Sequence, residues 1–325
     1  MRRRDLFCMV GGIAVASQPL AYAQRVYRLG YLSAPNQESV QRTLDVFLRR
    51  LRELGWVEGS NLKIEYRWAE GDVARLPELA AQLVRLNVDL IVAPNTAAVV
   101  AAKGATSSIP IVTMFAGDPV ELQLASSLSR PGGNVTGTSF TADLGYGGKL
   151  LEILKQTIPT AARVGILSDP ADPSAEFLAT SLRSVAPGVR VQLEWFNVAA
   201  MDRLEKIFDA LSARQVDAVL ITATGTLMPH RKRIAELAIE RRLPMMGSIR
   251  EFAESGALLT YGVNLSEFVG RSVAYVDKIL RGATPGELPI EQPTKFELLV
   301  NLRTAKAIGV NIAPAVLARA DEVVE

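Results

Sequence analysis

The residues able to do chemistry gather in a few short loops. Ser33 to Asn36, Pro94-Asn95-Thr96, Ala116-Gly117-Asp118, Ser168-Asp169-Pro170, Thr222 to Thr226 and Gly247-Ser248 each follow a short apolar run. They supply hydroxyls, an amide, small residues and two carboxylates, a set suited to a small polar molecule held by hydrogen bonds. Each also has a structural use. Asn95 and Thr96 open a helix, where free N–H groups and the dipole favour a carboxylate ligand, and the same residues serve as a cap. Asp118 either accepts a ligand ammonium or caps a helix begun by Pro119, with Glu121 as its acidic third residue. Ser33, Gly117, Ser139, Asp169, Thr222, Thr224 and Ser248 complete the candidate contacts, and Tyr261 either stacks on a ligand or packs internally. Asn264-Leu265-Ser266-Glu267 reads as a cap.

Enzyme chemistry finds little support. His230 is the only imidazole and heads a basic run, His230-Arg231-Lys232-Arg233. G-x-S-x-G, P-loop and H-E-x-x-H patterns are absent, and Gly145-Tyr146-Gly147-Gly148 is no dinucleotide fingerprint. No cofactor or metal site is expected.

The elements that must position these loops alternate in type. Tyr27 to Leu32 reads as a strand, followed by a helix carrying Val40, Leu44, Phe47, Leu51 and Leu54 on one face and stopped by Gly55. Strands at Leu62 to Trp68, Asp89 to Val92 and Ile111 to Phe115 alternate with helices at Leu76 to Leu86 and Ala97 to Ala105. This is the pattern of βαβ units and a parallel sheet. The order then recurs. Arg28-Leu29-Gly30-Tyr31-Leu32-Ser33 matches Arg163-Val164-Gly165-Ile166-Leu167-Ser168, 135 positions later. Ile64-Glu65-Tyr66 matches Leu193-Glu194-Trp195, Val88-Asp89 matches Val216-Asp217, and Ile109-Pro110-Ile111 matches Leu243-Pro244-Met245. A repeat this long makes each copy a domain with its own core. The expected fold is therefore α/β, two Rossmann-like lobes with parallel sheets joined by a three-crossing hinge. Residues 24–138 plus 263–287 form the first lobe, and 139–262 plus 288–325 the second. Ligands in such sheets bind beyond the carboxyl ends of the strands, where the nominated loops lie, and the hinge allows closure around them.

Residues 1–23 read as an export signal. Arg2, Arg3 and Arg4 precede a short apolar run, and Ala21-Tyr22-Ala23 is an A-x-A cleavage site. The arginines fit a twin-arginine signal and equally an ordinary charged start for the general secretory route. Cys8, the only cysteine, precedes most of the apolar run and so makes a poor lipid anchor. Removing the leader leaves 33 basic and 33 acidic side chains. A surface without net charge argues against a nucleic-acid partner, and no cysteine remains for a disulfide or a thiolate.

The chain resembles the substrate-binding proteins of bacterial ABC importers, in the group with tryptophan- and phenylalanine-type binders and the type I periplasmic binding protein fold. The matching pieces include Leu51-Arg52-Glu53-Leu54-Gly55-Trp56-Val57-Glu58-Gly59, Ile64-Glu65-Tyr66-Arg67-Trp68-Ala69-Glu70-Gly71, Gly117-Asp118-Pro119-Val120 and Arg130-Pro131-Gly132-Gly133-Asn134-Val135-Thr136-Gly137. Arg250-Glu251-Phe252 and the C-terminal Gln292-Pro293-Thr294-Lys295-Phe296-Glu297-Leu298 belong with them. The resemblance implies a periplasmic receptor that hands a small solute to a permease and its ATPase, touching the membrane only through the permease. In such relatives, bulkier residues are expected where this chain has Thr224-Gly225-Thr226 and Met246-Gly247-Ser248. That departure weighs against an aromatic amino acid and leaves room for a more polar or larger ligand. The rival readings are a periplasmic sensor subunit and an exported enzyme.

Overall fold

The computed structural model describes residues 25–140, 145–173, 175–198, 203–221 and 224–325, so the leader and Thr222 lie outside the described residues. One sheet holds β1 (Tyr27–Ser33), β2 (Leu62–Trp68), β3 (Leu90–Asn95), β4 (Ile111–Ala116) and β5 (Val135–Ser139) in the order β2-β1-β3-β4-β5, all parallel. The other holds β6 (Arg163–Ser168), β7 (Gln192–Asn197), β8 (Ala218–Ile221), β9 (Met245–Gly247), β10 (Leu259–Gly262), β11 (Glu297–Asn301) and β12 (Glu322–Val324), in the order β12-β11-β10-β9-β8-β6-β7. The described helices are α1 (Gln37–Glu53), α2 (Leu76–Arg85), α3 (Thr96–Ala105), α4 (Gly145–Thr157), α5 (Ala175–Val185), α6 (Leu204–Ala213), α7 (Arg231–Glu240), α8 (Arg250–Ser255), α9 (Leu265–Leu280), α10 (Leu302–Ile308) and α11 (Pro314–Leu317).

Both sheets are covered on two faces, which is why their strands are nearly continuous apolar runs. Leu44, Phe47 and Leu51 of α1 and Val269, Val273 and Val276 of α9 pack on one face of the first sheet. Leu76, Ala80 and Leu83 of α2, with Ala98 and Ala102 of α3, cover the other. On the second sheet α4 and α10 lie on one side and α6, α7 and α8 on the other.

Three connections join the two halves: after β5, from Gly262 to α9, and from α9 back to β11. The first and third run side by side, with Glu291 N donating to Gly137 O at 3.0 Å and Ser139 N donating to Glu291 O at 2.8 Å. The third connection makes the one departure from parallel pairing among the described strands. The chain returns to the second sheet at the edge where β10 ended, Glu297 lying opposite Gly262, so β11 must run antiparallel to β10.

The sequence repeat has a physical counterpart at the amino ends of the central strands. Arg28 N donates to Asp89 Oδ2 at 2.8 Å, Asp89 N returns a bond to Arg28 O at 2.7 Å, and the Arg28 guanidinium reaches Leu86 O at 2.7 Å. In the second lobe, Arg163 N donates to Asp217 Oδ2 at 2.8 Å, Asp217 N to Arg163 O at 2.9 Å, and the Arg163 guanidinium to Arg214 O at 2.8 Å. The repeated glycine is explained too. A Cβ on Gly30 would stand 2.9 Å from Leu83 Cδ1, and one on Gly165 would stand 2.5 Å from Leu211 Cδ2, so each marks where a helix leans closely on its strand.

Candidate functional site

The carboxyl ends of the two sheets border a cleft of about 440 Å³, within the ~300–1,000 Å³ usual for small-molecule sites. Of the residues nominated from the sequence, it brings together Ser33, Asn95, Thr96, Gly117, Thr224 and Ser248. Ser33 closes β1, is 1% exposed, and its Oγ has no hydrogen-bond partner among the described residues. Asn95 is the N-cap of α3, its Oδ1 accepting from Ala98 N at 3.0 Å, while its Nδ2 bonds no described residue. Thr96 Oγ1 accepts from Gly117 N at 2.9 Å, tying the loop after β4 to the start of α3. Thr224 Oγ1 accepts from Leu227 N at 3.3 Å. The first sheet therefore offers a helix N-terminus with an open amide and a lone hydroxyl beside it.

The other nominated residues lie off the cleft lining, for local reasons. Asp118 is occupied as a cap, accepting from Val120 N at 2.8 Å and Glu121 N at 3.1 Å. Asp169 is 2% exposed and fully engaged, with Oδ1 accepting from Ala171 N at 2.9 Å and Oδ2 from Thr226 Oγ1 at 2.5 Å. Ser139 is fully buried and off the lining, whereas its neighbour Phe140 reaches the cleft. Tyr261 stacks on Tyr146 (centroids 6.2 Å apart) and on Phe296 (5.5 Å), and its carbonyl accepts from the Tyr146 hydroxyl at 2.8 Å. It is one layer behind Tyr146, which lines the cleft.

Sequence reasoning missed most of the apolar wall. Tyr31, Phe115, Phe140, Tyr146, Met228, Ile249 and Leu265 all line the cleft. Tyr31 packs against Phe47 at 5.5 Å and Phe140 meets Tyr146 edge-on at 5.4 Å, so these rings are held from behind. Burial raises the phenol pKa of both Tyr31 and Tyr146 far above its usual value, keeping them neutral. The second lobe adds charge: Arg231, Lys232, Glu251 and Glu254. Burial pushes the Glu251 carboxyl up, and its Oε2 has no partner among the described residues.

Several contacts join the two halves around this space. Arg42 of α1 pairs with Glu254 of α8 at the cleft rim. A Cβ on Gly225 would sit 2.5 Å from that of Ala34, and Thr226 Oγ1 lies 3.4 Å from Gly71 O. The small residues of the loop after β8 thus permit close approach of the lobes. Among the described residues no group of three or more His, Cys, Asp or Glu is arranged to hold a metal ion. Nor is any described helix long and apolar enough to cross a membrane.

Comparison with known proteins gives this arrangement relatives. A family model described as ABC transporter substrate binding protein matches residues 34–324. A tyrosine-binding protein of Clostridioides difficile is 25% identical over 280 residues, covering 86% of this chain and 80% of that protein. The ABC domain of Streptococcus pneumoniae in complex with L-Trp superposes with a TM-score of 0.84 at 22% identity, covering 92% of this chain and 100% of that one. The ligand-free, open structure of a Clostridium difficile substrate binding protein with adhesive properties gives 0.63 at 23% identity, covering 92% and 99%.

Proposed function

We propose, from the premise that this chain belongs to the family of ABC transporter substrate binding proteins, that it is the extracytoplasmic receptor of an importer. It captures one amino-acid-like solute and hands it to a membrane permease and its ATPase. The observation carrying this reading is the cleft itself. It combines buried polar atoms without partners and a continuous aromatic and aliphatic wall, and both lobes contribute to its lining.

The chemistry divides naturally. A ligand carboxylate fits the start of α3, where the Asn95 amide, the Thr96 hydroxyl and the lone Ser33 hydroxyl meet the positive end of the helix dipole. A bulky apolar side chain fits against Tyr31, Phe115, Phe140 and Tyr146. The aromatic surface absent from the second-lobe loops is thus supplied by strand ends and the first crossing. That favours an amino acid with a large apolar side chain, in keeping with the tyrosine and tryptophan named for two relatives.

Closure supplies the affinity. Contacts such as Arg42 to Glu254 and Gly225 on Ala34 form only with the lobes together. A ligand that binds this state better than the open one shifts the population toward it. The better superposition on the tryptophan complex than on the open, ligand-free relative supports a closed arrangement here. The leader-like sequence of residues 1–23 supports a location outside the cytoplasmic membrane.

Native mass spectrometry of the gently purified protein tests this reading, together with melting curves over the protein amino acids. The expected result is one small adduct per chain, lost on denaturation, and a melting-temperature rise with a narrow set of amino acids. No adduct and no shift across the panel would contradict it.

A further inference from the structure

We infer that Glu251 is the residue that selects ligands carrying an amine, the second-lobe counterpart of the carboxylate site proposed on the first lobe. The inference rests on that amino-acid reading of the cleft and adds a specificity-determining residue to it.

Helix α8 is held from two sides. Arg250 is anchored outward by Glu322 at 2.7 Å and Glu297 at 3.7 Å, which ties the start of the helix to β11 and β12. Phe252 is fully buried in the core of the second sheet and Ala253 beside it is fully buried too. Glu251 lies between these two anchors, so its direction is fixed, and it lines the cleft. Its Oε2 is buried and bonds no described residue.

The surrounding charges do not supply the missing partner. Arg42 is committed to Glu254. Arg231 donates to Met228 O at 2.8 Å and acts on Glu251 only from a distance, as Arg42 and Glu254 do. A buried carboxylate oxygen without a donor is unfavourable, and a positioned ammonium is the group that best relieves it. Asp172, the other well-buried carboxylate on the cleft, is already engaged in the structure. Glu38 also lines the cleft, but it stands in the exposed first turn of α1. The Arg42–Glu254 pair lies one helical turn beyond Glu251, so closure covers a bound amine with the same helix that receives it.

The apo protein carries a sign that distinguishes this role from a structural one. Burial raises the Glu251 pKa, so the folded chain holds that proton more tightly than the unfolded chain. Its contribution to stability is therefore present at low pH and is lost as pH rises from the ordinary glutamate value through the folded one. Glu251→Gln should leave the ligand-free protein as stable as the wild type, or more so, at neutral pH.

The test is calorimetric titration of ligand-stripped wild type and Glu251→Gln with L-tyrosine and L-tryptophan, each alongside its desamino analogue. For the wild type, the amino acid should bind at least tenfold more tightly than the amine-free analogue. In Glu251→Gln, amino-acid affinity should fall about 10- to 100-fold, with the analogue changed less than about threefold. Equal losses for both compounds, or amino-acid affinity held within about twofold of wild type, would overturn the role of Glu251 while leaving the cleft reading intact. A wild type that binds neither compound of either pair would overturn both.

Discussion

The two lobes are alike at the amino ends of their central strands and unlike at the carboxyl ends. At the amino ends the Arg28–Asp89 and Arg163–Asp217 clasps share three bonds, and Pro110 O and Pro244 O accept from Ile91 N and Val219 N at 2.9 and 2.8 Å. At the carboxyl ends Ser33 and Ser168 occupy matching positions, yet Ser33 Oγ is left without a partner among the described residues beside the cleft, whereas the loop after Ser168 is tied through Asp169 to Thr226 in the loop after β8. The first lobe presents neutral groups at the start of α3, with Glu38 and Arg42 of α1 nearby, and the second presents charge on α7 and α8. The shared end makes the fold. The divergent end borders the cleft, so two lobes of one design present two different walls to it.

The largest effect is expected at Gly225. Gly225→Val places side-chain atoms where Ala34 already stands, so the lobes cannot approach. Affinity for an amino-acid ligand should fall at least ~100-fold by titration, a loss of about 2.7 kcal/mol, with the melting temperature of the ligand-free protein nearly unchanged. Unaltered affinity would show that closure contributes nothing.

The next largest effects probe the shared end. Asp89→Ala and Asp217→Ala each remove a carboxylate that accepts backbone N–H bonds, the second from both Ala162 and Arg163. Each should cost about 1–2 kcal/mol, discounted for partial exposure, with ligand affinity preserved. Denaturant unfolding of the two variants measures how equal the clasps are. A loss in only one would mean that the repeat is alike in geometry but not in energy.

The smallest effects separate two caps of the first lobe. Asn95→Ala and Asp118→Ala should each cost about 1 kcal/mol of stability. Only Asn95→Ala should also weaken ligand binding, because only Asn95 faces the cleft. Thermal melts with and without ligand distinguish them.

Much of this was legible because parallel sheets obey a directional rule. The repeat beginning at Arg28 and Arg163 and the alternation of runs gave two lobes, and the loops after the strands gave Ser33, Asn95, Thr96, Gly117, Thr224 and Ser248 as residues on one cleft. Asp118 and Asp169 show where local reading stops. A short carboxylate serves a backbone N–H or a ligand equally well, and only the turn geometry decides which it faces. Tyr31 and Phe115 were hidden inside strands that read as core. Glu251 sits in a short helix just past the Gly247-Ser248 loop, so the useful signal was that the first turn after a nominated loop also reaches the cleft. The antiparallel β11 was illegible because its direction depends on which edge the returning chain meets.

On the proposed function the lobes close on a small solute held between them. Small-angle scattering of the mature protein, refolded from denaturant to strip any carried ligand, tests it most directly. Adding a mixture of the protein amino acids should shrink the radius of gyration to that of the closed arrangement in which Arg42 pairs with Glu254. A radius that stays put as the mixture is added would contradict the account.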